Sequence, residues 1–135
     1  MRVVVDTNVM VSSFLGGPPR EVIDLWRKGQ ITLCVSQDLI DEYVEVLDRL
    51  SLRQDLVKEL LGLWASGYHL VFARSPRRLQ VLQDNPDDNM LFECAVALGA
   101  KVIITGDKAV RRTARYMDIE ILTPAEFVAQ YPRVG

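Results

Sequence analysis

Histidine and cysteine are scarce in this chain of 135 residues, which has one of the former and two of the latter. With His69 alone, neither a histidine-built zinc site nor a Ser-His-Asp triad has the side chains it needs. Cys34 and Cys94 lack CxxC spacing and fall in apolar segments, which reads as two reduced core thiols. No apolar run approaches the roughly 20 residues that span a bilayer. The first residues also lack the basic start, apolar middle and small-residue cleavage site of a signal peptide. The expectation is a cytoplasmic protein with no membrane association. An excess of positive charge is missing too, since 16 Lys and Arg stand against 18 Asp and Glu. That balance is unfavourable for a polyanion binder, although committing four acids to a cation leaves 16 positive against 14 negative charges. The global sign is therefore uninformative.

What is present, 49% hydrophobic and 25% charged residues, fits one globular domain over residues 1–135 with material for a core. Met1 to Asn8 opens on the apolar run Val3-Val4-Val5 and ends on Asp6-Thr7-Asn8, the pattern of a buried strand that stops at a carboxylate. The pattern recurs at Val102-Ile103-Ile104, which runs into Thr105-Gly106-Asp107. In open α/β sheets the ligand crevice lies beyond the carboxyl ends of the strands, so two parallel strands deliver two acids to one edge.

Between these strands, Val9–Leu15 begins a helix that Gly16-Gly17-Pro18-Pro19 interrupts, and a short helix runs from Arg20 to a stop at Gly29. Ile31–Val35 reads as a strand, with Ser36 placed to cap the helix Gln37–Leu50. That helix carries an apolar stripe of Leu39, Ile40, Tyr43, Val44, Val46, Leu47 and Leu50, with Glu42 at its border, aimed toward the crevice. Leu56–Trp64 is a helix, Tyr68–Phe72 a strand, and Ala73–Gln83, with Arg74, Arg77 and Arg78, a solvated loop. Trp64 is assigned to the core or to a dimer interface. In the acidic cluster Asp84–Asn89, Asp84 and Asp87 suit a helix N-terminus, with Asp87 as N-cap. The helix that follows, to Gly99, is apolar almost all round and should be buried, with Asp88 on its inner face and Glu93 toward water. Lys108–Met117 reads as a basic helix with Arg111, Arg112 and Arg115 on one face, and Ile119–Leu122 as the last strand. Thr123-Pro124-Ala125-Glu126 is a capping box that opens a final helix. Strands alternate with helices throughout, which argues a parallel α/β sandwich.

Asp6, Glu42, Asp88 and Asp107 are all expected at the same sheet edge. Two carboxylates about 4 Å apart repel by about 4 kcal/mol at an effective dielectric near 20, so four need protons or cations. Oxygen-only ligands favour a hard ion, Mg²⁺ or Mn²⁺, over zinc. Such ions keep positions for phosphate oxygens and an activated water, the chemistry of phosphodiester hydrolysis. Thr7, Asn8 and Thr105 are candidates to orient carboxylates or substrate. Lys108, Arg111 and Arg112, starting at the same edge, are candidate phosphate contacts.

Asp6-Thr7-Asn8, Ser36 with Glu42, Pro86-Asp87-Asp88-Asn89 with Glu93-Cys94-Ala95, and Thr105-Gly106-Asp107 together resemble a PIN domain over essentially the whole chain. The resemblance is greatest to the compact members regarded as toxins of type II toxin-antitoxin pairs. It implies a Rossmann-like three-layer sandwich with a parallel sheet of about five strands, and an RNA-cleaving enzyme dependent on Mg²⁺ or Mn²⁺. It also implies a dimer and inhibition by a small antitoxin protein. By position, Asp6, Glu42, Asp88 and Asp107 take the family's acidic, metal-binding roles, with Asn8 and Thr105 as polar neighbours. Ala109 stands where many members carry a further acid, which bears on a second metal ion. A phosphoacceptor receiver domain fits poorly, because it wants adjacent acids after the first strand. A haloacid-dehalogenase-like phosphatase wants an Asp where Asn8 stands. The serious rival is a PIN-like module that binds RNA or a protein without cutting.

Overall fold

The computed structural model describes residues 1–82, 88–113 and 115–131. Its first half alternates β1 (Arg2–Val5), α1 (Thr7–Ser12), α2 (Gly17–Arg27), β2 (Thr32–Ser36), α3 (Gln37–Arg49), α4 (Gln54–Ser66) and β3 (Leu70–Ala73). The second half runs α5 (Asn89–Leu98), β4 (Val102–Ile104), α6 (Lys108–Arg111), β5 (Arg115–Tyr116), β6 (Ile119–Leu122) and α7 (Pro124–Gln130). The strands form one sheet in the order β3-β2-β1-β4-β6-β5. Every pairing is parallel except β5 with β6. From β1 the chain builds outward through β2 and β3, then returns to add β4 on the other side. The order thus reverses between β1 and β4, where a crevice opens beyond their carboxyl ends.

The central strands are short apolar runs because helices cover them. Val3, Val4, Val5, Val102, Ile103 and Ile104 are completely buried. Helix α5 lies across β1, β2, β3 and β4, α3 packs on α1 and β2, and α2 packs on α7. Ser36 caps α3 by accepting from the Leu39 amide, and Thr123 with Glu126 completes a reciprocal capping box on α7.

Four sequence expectations need correction. Helix α2 starts at Gly17, not after the prolines: Pro18 and Pro19 sit in its first turn, where a missing N–H costs nothing. The stripe on α3 is narrower than its periodicity suggests, with Leu39, Tyr43 and Leu47 buried but Val44 40% and Leu50 48% exposed. The basic helix at Lys108 ends at Arg111, and Arg115 belongs instead to β5, antiparallel to β6. Glu93 is 5% exposed, not turned to water, because the segment 78–82 covers that side of α5. Asp84 and Asp87 lie outside the described residues, and the N-cap position of α5 falls on Asp88.

Candidate active site

Asp6 is the first residue past β1 and the N-cap of α1. Its own N–H continues the sheet by donating to the Ile104 carbonyl at 2.9 Å. The carboxylate is thereby delivered to the end of β4, and only 7% of the residue is exposed. Thr105, fully buried, donates its hydroxyl to Asp6 Oδ2 at 2.5 Å and accepts from the Asp107 amide at 3.0 Å. One side chain thus fixes both acids. Asp107 caps α6, its Oδ1 accepting from the amides of Ala109 at 2.8 Å and Val110 at 3.2 Å.

The electrostatics follow from this enclosure. Burial pushes the Asp6 carboxyl above its ordinary value, the Thr105 hydroxyl and the nearby Asn8 amide pull it back, and the Asp107 charge raises it again. The two acids therefore feel one another. Next to them Thr7 is 3% exposed, and its hydroxyl oxygen is buried with no hydrogen-bond partner among the described residues. Such an orphan is uncommon in a packed interior.

Glu42 lies in α3 and Asp88 at the N-cap of α5. Glu42, half-buried in the second turn of α3, lines a groove of about 730 Å³ together with Asn89 and Met90 of α5. The adjacent Tyr43 is fully buried, and its phenol donates to the carbonyl of Val5, the residue before Asp6. Burial first, and then the charges of Cys94, Asp6 and Glu42, push that phenol well above its ordinary value. Helix α3 is therefore bolted to the strand end that carries Asp6. Asp88 is half-buried, and its side chain does not cap α5.

Among the described residues no group of three or more His, Cys, Asp or Glu side chains is placed to hold a metal ion. What the structure brings together is the pair Asp6 and Asp107, joined through Thr105. Asn8, Lys108, Arg111 and Arg112 are exposed around this pair, and Ala109 gives its amide to Asp107.

A PIN domain family model matches residues 2–109 of the chain. The chain belongs to the PIN domain family. The match takes in every candidate acid of this PIN domain, from Asp6 to Asp107, and stops at Ala109, before Arg111 and Arg112. A search of curated proteins returned no significant match.

Sequence reasoning missed the residues that hold the segment 78–82 against α5. Arg78, assigned to a solvated loop, bridges Asp38 at 2.7 Å and Glu93 at 3.1 Å, while Glu93 also accepts from the Leu79 amide at 2.8 Å. Asn89 pairs with Leu82 in both directions, at 2.8 and 3.0 Å. The signal for Asn89 was present as a polar residue at the start of an apolar helix. That for Glu93 was an acid amid an apolar run.

Proposed function

We propose that this PIN domain is a divalent-metal-dependent ribonuclease. The observation that carries the reading is the pairing of Asp6 and Asp107 at the point where the strand order reverses. Mg²⁺ commonly takes only one or two carboxylates from a protein, leaving its other positions to water and substrate phosphate. The two acids fit that habit. Their donors are all oxygen, the Asp6 carboxylate is buried beside a like charge, and the orphaned Thr7 hydroxyl adds a polar atom without a partner. Asp6 and Asp107 would hold the ion, and Glu42 and Asp88 would complete its shell directly or through water.

When bound, Mg²⁺ or Mn²⁺ polarises a phosphate oxygen and lowers the pKa of a coordinated water. The protein's own part is positional. Thr105 holds the Asp6 carboxylate in one orientation, Asn8 faces the substrate side, and Lys108, Arg111 and Arg112 steer and seat the phosphate backbone. We place the protein as the toxin of a type II toxin-antitoxin pair, acting as a dimer and held in check by a small antitoxin protein. A second reading, an RNA- or protein-binding PIN domain that does not cut, is favoured by the lack of a third acid grouped with the pair among the described residues.

The deciding measurement is incubation of the purified protein with structured and single-stranded RNAs in Mg²⁺, Mn²⁺ or chelator. Cleavage confined to the metal-containing reactions is the expected result. Binding without cleavage under all three conditions would leave the second reading standing.

A further inference from the structure

Close along the chain to the acid pair lies a cavity of about 310 Å³ lined by Pro18, Pro19 and Pro124 with Val9, Asn8 and Gly106, a set that shares no residue with the acidic groove. None of the described residues that line it is charged. Its position is fixed by the two strand ends already described. Asn8 is two residues beyond Asp6, and Gly106 lies between Thr105 and Asp107. The wall is therefore within about 7 Å of chain from either acid. The volume is at the lower end of the roughly 300–1,000 Å³ that holds small ligands.

Two further facts bear on the occupant. The groove on the α3 side carries Asp38, Asp41, Glu42, Glu45 and Glu93 against Arg49 and Arg78, a wall of net negative charge that repels a phosphate backbone. The cavity side instead has the α6 cations at hand. Lys108, the first residue of α6, lies two residues beyond Gly106 of the cavity wall, while Arg111 faces the acid Glu126 in the first turn of α7. An anionic strand thus meets net negative charge on the groove side and an uncharged hollow close to Lys108 on the other.

We infer that this cavity is a subsite for one unpaired nucleobase of the RNA strand, next to the phosphate held at Asp6 and Asp107. The inference deepens the nuclease reading and rests on it. Sequence-dependent contact with RNA is made to splayed-out bases of single strands, commonly stacked on aromatic rings or guanidinium planes and hydrogen-bonded at their edges; no such side chain lines this cavity among the described residues, and the packing here is on aliphatic rings. Proline rings supply the apolar faces, and the exposed Asn8 amide supplies a donor and an acceptor for a base edge. An uncharged lining suits a neutral planar group and excludes a second phosphate.

The test uses Ala125, exposed in the first turn of α7 and part of the cavity wall. Ala125→Trp fills the hollow and Ala125→Ser leaves it open, with melting curves checking that both fold. Metal-free protein is titrated with adenosine and with uridine while backbone amide resonances are followed. Saturable shifts at Asn8, Gly106 and Ala125 are expected with wild type and A125S and not with A125W. In parallel, RNA oligonucleotides carrying one abasic ribose on either side of the cleaved bond are compared with intact RNA in Mn²⁺. Losing the base should lower kcat/KM by about 10-fold, in the range of a stacked base. A125W should show the same loss on intact RNA and no further loss on the abasic strand.

The subsite is overturned if neither nucleoside shifts those amides saturably. It is equally overturned if the abasic strands are cut as fast as intact RNA, and that comparison needs only wild type. Nucleoside binding without any cleavage by wild type would remove the nuclease reading and keep the base subsite. Cleavage indifferent to the abasic position would do the reverse.

Discussion

Asp6 is the residue on which stability and function pull in opposite directions. Its folded-state pKa lies above the ordinary carboxylate value, chiefly through burial. Between the ordinary and the raised value the folded protein binds more protons than the unfolded chain, so metal-free stability falls as pH rises through that window. Above it the penalty is constant. Asp6→Asn should therefore abolish RNA cleavage, leave the metal-free protein equally or more stable at neutral pH, and flatten this part of the pH dependence. Denaturant titrations at several acidic and neutral pH values, with chelator present, check all three. A D6N protein that cuts at the wild-type rate in Mn²⁺ would remove Asp6 from the site. Asp6 and Asp107 were legible in the sequence because the first directly follows its strand and the second comes three residues after its own, and strand ends are local information. Thr105 was legible only as a polar neighbour. That its hydroxyl reaches back 99 positions to Asp6 depends on β1 and β4 lying side by side.

Two connections between elements decide how the site is held. The first is the Tyr43 phenol on the Val5 carbonyl, with the ring also packed on Trp64 at 5.3 Å. Tyr43→Phe keeps the ring and its packing but leaves that carbonyl without its donor, a cost of roughly 1–2 kcal/mol. The expected reading is a lower denaturation midpoint at unchanged slope, with weaker Mn²⁺ binding because α3 is no longer tied to the strand end. The second is the strap 78–82, held on α5 by Glu93 and Asn89. Glu93→Ala leaves the Leu79 amide and Arg78 without their shared acceptor. Global stability should fall by roughly 1–3 kcal/mol, and trypsin should cut after Arg77 or Arg78 well before the rest of the fold opens. Equal protease resistance of wild type and E93A would show that the strap is held otherwise. Neither connection is visible in a helical wheel. The wheel sorts the residues of one helix and contains no information on what lies across it, which is why Glu93 was turned the wrong way.

The same limit explains the error at the basic segment. Arg111 to Met117 has no helix stop of the usual kind, yet the chain turns at Met117 and Asp118 and returns as β6. Met117 takes a left-handed φ of 55°, without the glycine or asparagine that normally marks such a turn. Pairing with β6, a contact the segment's own propensity does not encode, decides its conformation.

At the scale of the molecule, the alternation of strands and helices was readable because buried parallel strands and amphipathic helices leave different periods in the sequence. The sheet order was not written there in the same way, and it is the order that puts β1 beside β4. None of the described helices is long and apolar enough to cross a membrane. A metal that binds only the folded protein must raise its melting temperature, by about 2.7 kcal/mol of added stability at a concentration 100 times its Kd. Addition of Mn²⁺ to the metal-free protein should therefore raise Tm in wild type, raise it less in Y43F and leave D6N unmoved. An equal rise in D6N would mean that the ion binds elsewhere.

The buried strand-end carboxylate has a consequence for how such a chain persists. In the nuclease reading, replacing it with its amide would relieve the fold and silence the chemistry in one step, so a library of variants screened only for yield or heat tolerance should drift toward the disarmed form. On that same reading, an aspartate kept at that position in an active lineage would be maintained by pressure on RNA cleavage, because pressure on folding runs the other way.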